Sequence, residues 1–375
     1  MMGEPESELA VTDHAPKPRV AEFFAGIGLM RAGLGENFSV VWANDIDSAK
    51  ARAYIQNFGA ADFRHDDVRN VRGCELPSID VATASFPCTD LSLAGSRGGL
   101  DAPESGMFWQ FARVLDQLAH LRPPLVLLEN VLGFATSRGG SDLVAALATL
   151  NRLGYWCDIL TVDARWFVPQ SRPRMFIVGS VKPLEPLGLS PGHPARPAWI
   201  AGLARSHPDL LLHSWPLPLP PSRTTELADV VERLPECDEA WWEGYRLQRF
   251  LDVMSPLQQA RLMEWRAAPR LSWRTAYRRT RGGRAVWEVR VDDVAGCLRA
   301  VRGGSSRQAL VEVGQGRVRA RWLTPREYAR LMGAPDYDLT ASTRNEALFG
   351  FGDAVCIPAV RWVADNYLAP VRVAL

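Results

Sequence analysis

The sequence predicts an α/β protein in which a doubly wound, mostly parallel sheet is joined to a second, smaller and irregular domain. Three features carry this reading. Short apolar runs alternate with helix-periodic text from Val20 to Val181, proline-rich text interrupts the rhythm after Val181, and helical periodicity returns beyond Trp322. A chain of 375 residues with 47% hydrophobic side chains can bury a full core, and at roughly 150 residues per domain it holds about two domains.

The elements follow in order. VAEFF reads as a strand, a glycine turn and a helix come next, VVWAND reads as a second strand, and AKARAYIQNF carries a helical period. IDVATASF, PLVLLENV and RMFIVGSV are further apolar strand runs, with FWQFARVLDQLAHL and DLVAALATLNRLG as helices between them. PLEPLGLSPGHPARPAW and WPLPLPPSR hold too much proline for element interiors. The expected organisation is a disordered leader over 1–17, a first domain over 18–181, a second over 182–321 rich in tryptophan and arginine, and a return to the first over 322–375.

A formal net charge of +1 does not by itself advertise a nucleic-acid partner. The average hides an asymmetry. Arg270, Arg274, Arg278, Arg279, Arg281 and Arg284 share one stretch with Trp265, Trp273 and Trp287, and Arg299, Arg302 and Arg307 surround a Gly-Gly pair. Six cysteines form no C-x-x-C pair and six histidines show no metal-like spacing, so neither a disulfide framework nor a metal site is expected. The acidic N-terminus lacks an apolar signal region, and no stretch of 18 consecutive apolar residues follows. A cytoplasmic chain without a membrane segment is expected.

Several positions invite chemistry. Gly26 and Gly28 lie between a strand and a helix, where a missing Cβ lets backbone approach a cofactor, although a tight turn without ligand reads the same way. Asp45 ends the next strand, where doubly wound nucleotide binders hold ribose hydroxyls; a helix-capping acid is the alternative. Asp67 in HDDV is a candidate for the adenine, and Asp66 is its equal by pattern. Cys88 follows a rigid proline at a strand mouth, before a loop carrying Gly95, Gly98 and Gly99 that has the composition of a mobile lid. Most free cysteines are simply small buried hydrophobes. Glu129 follows a wholly apolar strand and must be paired, neutralised or functional. Arg172 and Arg174, one residue apart on an extended segment after Gln170, point to one side.

The order of these motifs, Gly-rich strand end, acidic strand end, Pro-Cys, Glu-Asn-Val and Gln-x-Arg-x-Arg, then an irregular region and a returning Gly-rich helix, resembles the DNA (cytosine-5)-methyltransferase family. The resemblance covers residues 19–181 and 322–368. It implies a Rossmann-like, S-adenosylmethionine-dependent catalytic domain with a target-recognition domain over 182–321. By resemblance, Cys88 is the nucleophile, Glu129 holds the cytosine ring, and Arg172 and Arg174 orient the base. The cofactor positions are Phe24, Gly26, Ile27, Gly28, Asp45, Ile46, Asp67, Val68, Pro87, Asp353 and Val355. Contacts to DNA fall to Ser92, Arg97, Gln170, Arg274, Arg278, Arg279, Arg281, Arg284, Arg302 and Arg307, while Arg326 and Glu327 match a late structural motif supporting the recognition domain.

Three positions depart from the family pattern: Leu29 stands for a glycine, Met332 and Ala334 for Gln and Phe, and Asp353 for asparagine. The resemblance implies double-stranded DNA as substrate, a monomer, and a restriction endonuclease as a separately acting partner. A tRNA cytosine-5 methyltransferase and a non-catalytic DNA-binding regulator on the same fold are the alternatives.

Overall fold

The computed structural model describes residues 16–87, 100, 106–186, 192–300 and 307–375. Seven strands form the main sheet: β1 (Arg19–Phe23), β2 (Ser39–Asp45), β3 (Phe63–His65), β4 (Val81–Ala84), β5 (Leu125–Val131), β6 (Trp156–Asp163) and β7 (Pro173–Ser180). Their spatial order is β3-β2-β1-β4-β5-β7-β6. The first five are parallel, whereas β7 runs antiparallel to both β5 and β6. The sequence reading named the RMFIVGSV strand but not β6, and the antiparallel β6–β7 pair is what closes this edge.

Parallel strands covered on both faces read as continuous apolar text, and every residue of β4 is buried accordingly. One face packs on α1 (Leu29–Leu34) and α2 (Ser48–Phe58), joined by the late helices. The other face packs on α3 (Met107–Gln117) and α4 (Ser141–Arg152). Asp47 starts α2 by accepting from the backbone N–H groups of Ala49 and Lys50 at 2.9 and 3.1 Å. The helix-capping alternative for Asp45 is thereby excluded.

The chain order reverses between β1 and β4, so a crevice opens beyond the carboxyl ends of these two strands, where open α/β sheets bind ligands. The glycine loop leaves β1 there, and Pro87 follows β4.

The segment 182–321 is structurally two parts. Two-residue strands β8 (Glu185–Pro186) and β9 (His213–Ser214) pair with each other, and α5 (Ala198–Ser206) buries Ile200 in the core of the main sheet. The turn-like α6 (Leu227–Val230) also packs on the main core. A separate core gathers around α7 (Gly244–Asp252), α8 (Pro256–Ala267), β10 (Ser272–Arg281), β11 (Arg284–Val289), β12 (Ala309–Gly314) and β13 (Arg317–Trp322). These four strands make an antiparallel sheet in the order β11-β10-β12-β13. Gly282 and Gly283, with φ of +53° and +76°, form the two-residue turn of the β10–β11 hairpin.

The chain then returns to the first layer through α9 (Pro325–Leu331), α10 (Arg344–Asp353), α11 (Ile357–Val363) and α12 (Ala369–Ala374). The near-continuous helical run 344–374 is apolar enough by composition to cross a membrane, but 67% of its most apolar window is buried inside the fold.

Candidate active site and nucleic-acid interface

The carboxyl edge of the sheet assembles most of the described candidates. In the glycine loop, Phe24 is held at φ +57°, a conformation side-chain-bearing residues seldom adopt. Gly26 has φ +58° and donates its N–H to Asp45 Oδ2 at 2.8 Å; a Cβ there would point into open space. Gly28 is different: a Cβ would lie 2.3 Å from the Phe58 ring, so helix packing requires this glycine. Ile27 is buried and its side chain presses on Gly350 of α10.

Asp45 also accepts from the Asp47 N–H at 2.9 Å, and burial raises its pKa against the opposing charge of Lys50. Ile46, beside it, is 62% exposed. An apolar side chain left open beside a buried carboxylate and a bare glycine makes a surface suited to a nucleoside. Asp67 caps a short turn and pairs with Arg69 at 2.6 Å, whereas Asp66 binds Asn70 and Arg64. Val68 and Val355 are buried.

Asp353, the replacement for asparagine, ion-pairs with Lys50, which also sits over the Phe349 ring. That lysine neutralises the departure, and it was not foreseen.

Glu129 at the end of β5 is 7% exposed, with Oε1 3.1 Å from Arg174 Nε. That contact lacks the alignment of a hydrogen bond, since Oε1 has no hydrogen-bond partner among the described residues. Burial raises the Glu129 pKa, opposed by Arg174 and Arg172. The carboxyl is therefore biased toward keeping a proton, as a general acid requires.

Arg172 and Arg174 do share a side, but they divide their work. Arg174 faces Glu129. Arg172 is 2% exposed and donates to the carbonyls of Leu298, Gly352 and Ala354 at 2.7, 3.2 and 2.5 Å. It staples the C-terminal end of α10 to the segment before β12, so direct orientation of a base by Arg172 is corrected to support of the site. Gln170 is corrected likewise: it is fully buried, bonding Leu331 O at 2.8 Å and Leu298 N at 3.1 Å, and offers no surface to DNA. Cys88, Ser92, Arg97 and Arg302 lie outside the described residues.

The arginine stretch is split by strand alternation. Arg274 and Arg278 share a face with Val311 and Trp287 and lie, partly exposed, over Trp265 and Trp287 at 5.1 and 5.6 Å. Packing on these rings takes up one side of each guanidinium and leaves the other partly open. Arg279 and Arg281 emerge on the other face, 52% and 60% exposed and each paired with Glu288, and Arg284 is exposed beside them. Arg307 is partly buried and bonds Asn345. Arg278→Ala is expected to lower the thermal midpoint of the small domain, whereas Arg281→Ala weakens duplex binding and reduces its salt dependence by about one charge. Melting curves and DNA titrations at two salt concentrations check this pair.

Reading the sequence also passed over Glu22, a carboxylate inside the apolar run VAEFF. It is 1% exposed, neither oxygen has a hydrogen-bond partner among the described residues, and burial raises its pKa to about 8. A charged letter within a strand run was the available signal.

The fold and this edge define a class: a doubly wound α/β protein with a buried acid–arginine pair at the sheet's carboxyl edge. A family model for C-5 cytosine-specific DNA methylase matches residues 18–369. The chain is 26% identical over 355 residues to Type II methyltransferase M.Bsp6I of Bacillus sp. (strain RFL6), covering 93% of this chain and 98% of that protein. It is also 26% identical over 367 residues to Type II methyltransferase M.NlaX of Neisseria lactamica, covering 94% and 96%. Among solved structures, S. pombe Dnmt2 methyltransferase matches with a TM-score of 0.59 at 17% identity, over 95% of this chain and 99% of that one, which shows the fold. The chain belongs to the C-5 cytosine-specific DNA methylase family and is a DNA (cytosine-5)-methyltransferase.

Proposed function

We propose that the protein methylates carbon 5 of a cytosine flipped out of double-stranded DNA, with S-adenosylmethionine as donor and Cys88 as covalent nucleophile. The observation that carries this reading is the buried Glu129–Arg174 pair on the edge to which β4 delivers Pro87, the residue that precedes Cys88 in the sequence.

Carbon 5 is a poor nucleophile within the aromatic ring. Addition of the Cys88 thiolate to carbon 6 turns the ring into an enamine. Negative charge moves toward ring nitrogen 3 and oxygen 2 as the bond forms. Glu129 donates its proton to the nitrogen, and the Arg174 charge stabilises the oxygen. When bound, S-adenosylmethionine supplies a sulfonium methyl group electrophilic enough for the enamine carbon. The Gly26 backbone, Asp45 carboxylate and Ile46 side chain are the groups that would hold it. A water molecule takes the carbon 5 proton, the carbon–sulfur bond breaks with its electron pair returning to Cys88 as thiolate, and ring nitrogen 3 gives its proton back to Glu129.

Extrusion of the base costs a few kcal/mol, which contacts to DNA offset. Arg279, Arg281 and Arg284 supply phosphate contacts, and residues 242–322 form the recognition unit. A restriction-modification role follows from the Type II relatives, with any endonuclease acting separately and the enzyme working as a monomer in the cytoplasm. Purified protein with labelled donor is expected to methylate duplex DNA and leave tRNA unlabelled; labelling of tRNA alone contradicts the proposal.

A further inference from the structure

Several arginines of the small unit have an acid to hold: Arg279 and Arg281 share Glu288, Arg290 pairs with Asp292 and Arg317 with Glu236. Arg246, exposed on the first turn of α7, rests on aromatic rings instead. Its guanidinium lies over Trp242 at 4.6 Å and over Trp322 at 5.7 Å, and those two rings meet edge to face at 5.0 Å. Such a platform fixes the plane of the group and leaves its outer N–H groups open. Arg246 forms no ion pair among the described residues, not even with Glu243 three residues before it.

The main body brings a second such arginine to the same place. Trp322 ends β13 opposite Ala309 of β12, and Arg307, two residues before Ala309, bonds Asn345 at the start of α10, beside the exposed Arg344. Arg344 also forms no ion pair among the described residues. The nearest acid on α10, Glu346, is engaged by Arg52 and by the Thr343 N–H. Partial burial and the charge of Arg344 both press the Arg246 pKa down. Like charges facing each other across a junction repel until an anion lies between them.

We propose that Arg246 and Arg344 form a phosphate clamp, in which one backbone phosphate of duplex DNA sits between the two guanidinium groups and draws the small unit onto the main body. This rests on the DNA substrate proposed above and adds the point at which the duplex joins the two units. Guanidinium forks match phosphate oxygens, and the phosphate turns the mutual repulsion of the pair into two attractions. The ten residues of α10 run from Arg344 to Asp353 at the cofactor edge, about 15 Å. A duplex held by the clamp is therefore anchored within reach of the edge where its cytosine reacts.

The test has two arms. In the first, binding of two short duplexes of unrelated sequence is titrated over a range of salt for wild type, Arg246→Gln, Arg344→Ala and the double variant. The glutamine keeps a planar group on the two rings without the charge, and Arg344→Ala changes an exposed side chain at a helix start. Each single change is expected to weaken both duplexes about tenfold, and the double variant no more than about threefold further with a salt slope lower by about one charge, because both arginines hold the same phosphate. The second arm needs no DNA. Pyrophosphate, compared with chloride at equal ionic strength, is expected to raise the thermal midpoint of the wild type and not that of the double variant. Single variants within about twofold of wild type, losses that multiply to about a hundredfold in the double variant, or a loss on one duplex alone overturn the clamp. So does a pyrophosphate shift that persists undiminished in the double variant. If the wild type binds neither duplex, the functional reading fails while the pyrophosphate arm still decides whether the junction holds a phosphate.

Discussion

Glu129→Gln is expected to lower kcat for methyl transfer by about 10²–10⁴-fold, the usual worth of a positioned general acid. The amide keeps the shape of the side chain and its place at the end of β5, so duplex affinity should survive. What it removes is a carboxyl that burial biases toward protonation while Arg174 stands 3.1 Å away. The pH dependence has a definite sign. The wild-type rate depends on the protonated form and should fall as pH rises through the raised pKa of Glu129, and the variant should lack that limb. Single-turnover transfer with pre-bound duplex, measured across pH, separates this from a change in binding. A variant that retains the wild-type rate and limb would remove Glu129 from the reaction.

The second large effect concerns stability. Arg321 and Glu327 are fully buried and meet in two hydrogen bonds of 2.5 and 2.8 Å. Arg321 also donates to the Glu232 carbonyl at 2.9 Å, and Glu327 accepts from the N–H groups of Glu232 and Thr324 at 2.9 and 2.8 Å. One ion pair thus ties β13 of the small sheet to α9 and to the segment after α6. Glu327→Ala is expected to destabilise the protein by about 3–5 kcal/mol, because it leaves a buried guanidinium uncompensated. Replacing both partners, Arg321→Met with Glu327→Leu, should recover much of that loss, since most of the penalty lies in the orphaned charge rather than in the pair's net worth. Urea unfolding of the three proteins measures this. A loss in Glu327→Ala below about 1 kcal/mol, the range of exposed pairs, would mean that the latch is solvated.

Legibility followed the physics of each segment. The βα half could be read because buried parallel strands are apolar throughout and their turns carry glycine, as at Gly26 and Gly28. The acids at strand ends, Asp45 and Glu129, were visible as charges terminating apolar runs. The small sheet was not legible. Its strands alternate arginine with aromatic residues, as in β10, so neither face reads as apolar, although the Gly282-Gly283 turn between them was a usable hairpin signal. The division of its arginines was not legible either: strand alternation lays Arg274 and Arg278 on tryptophan rings and turns Arg279 and Arg281 outward. Gln170 and Arg172 were misjudged because their partners, the 295–298 segment and the end of α10, lie more than a hundred residues away in sequence. Lys50 was silent for the same reason.

The central claim is covalent catalysis by Cys88, and DNA containing 5-fluorocytosine tests it most directly. Fluorine at carbon 5 cannot depart as a proton, so once the methyl group has been transferred the Cys88 thiolate cannot be expelled. Wild-type protein with S-adenosylmethionine and fluorocytosine-substituted duplex should give a complex that survives denaturing electrophoresis, with the adduct mapped to the peptide containing Cys88. Cys88→Ser protein should bind the duplex and give none. If the wild type methylates ordinary duplex yet forms no denaturant-resistant complex, or if the serine variant forms one equally well, the account of Cys88 is contradicted.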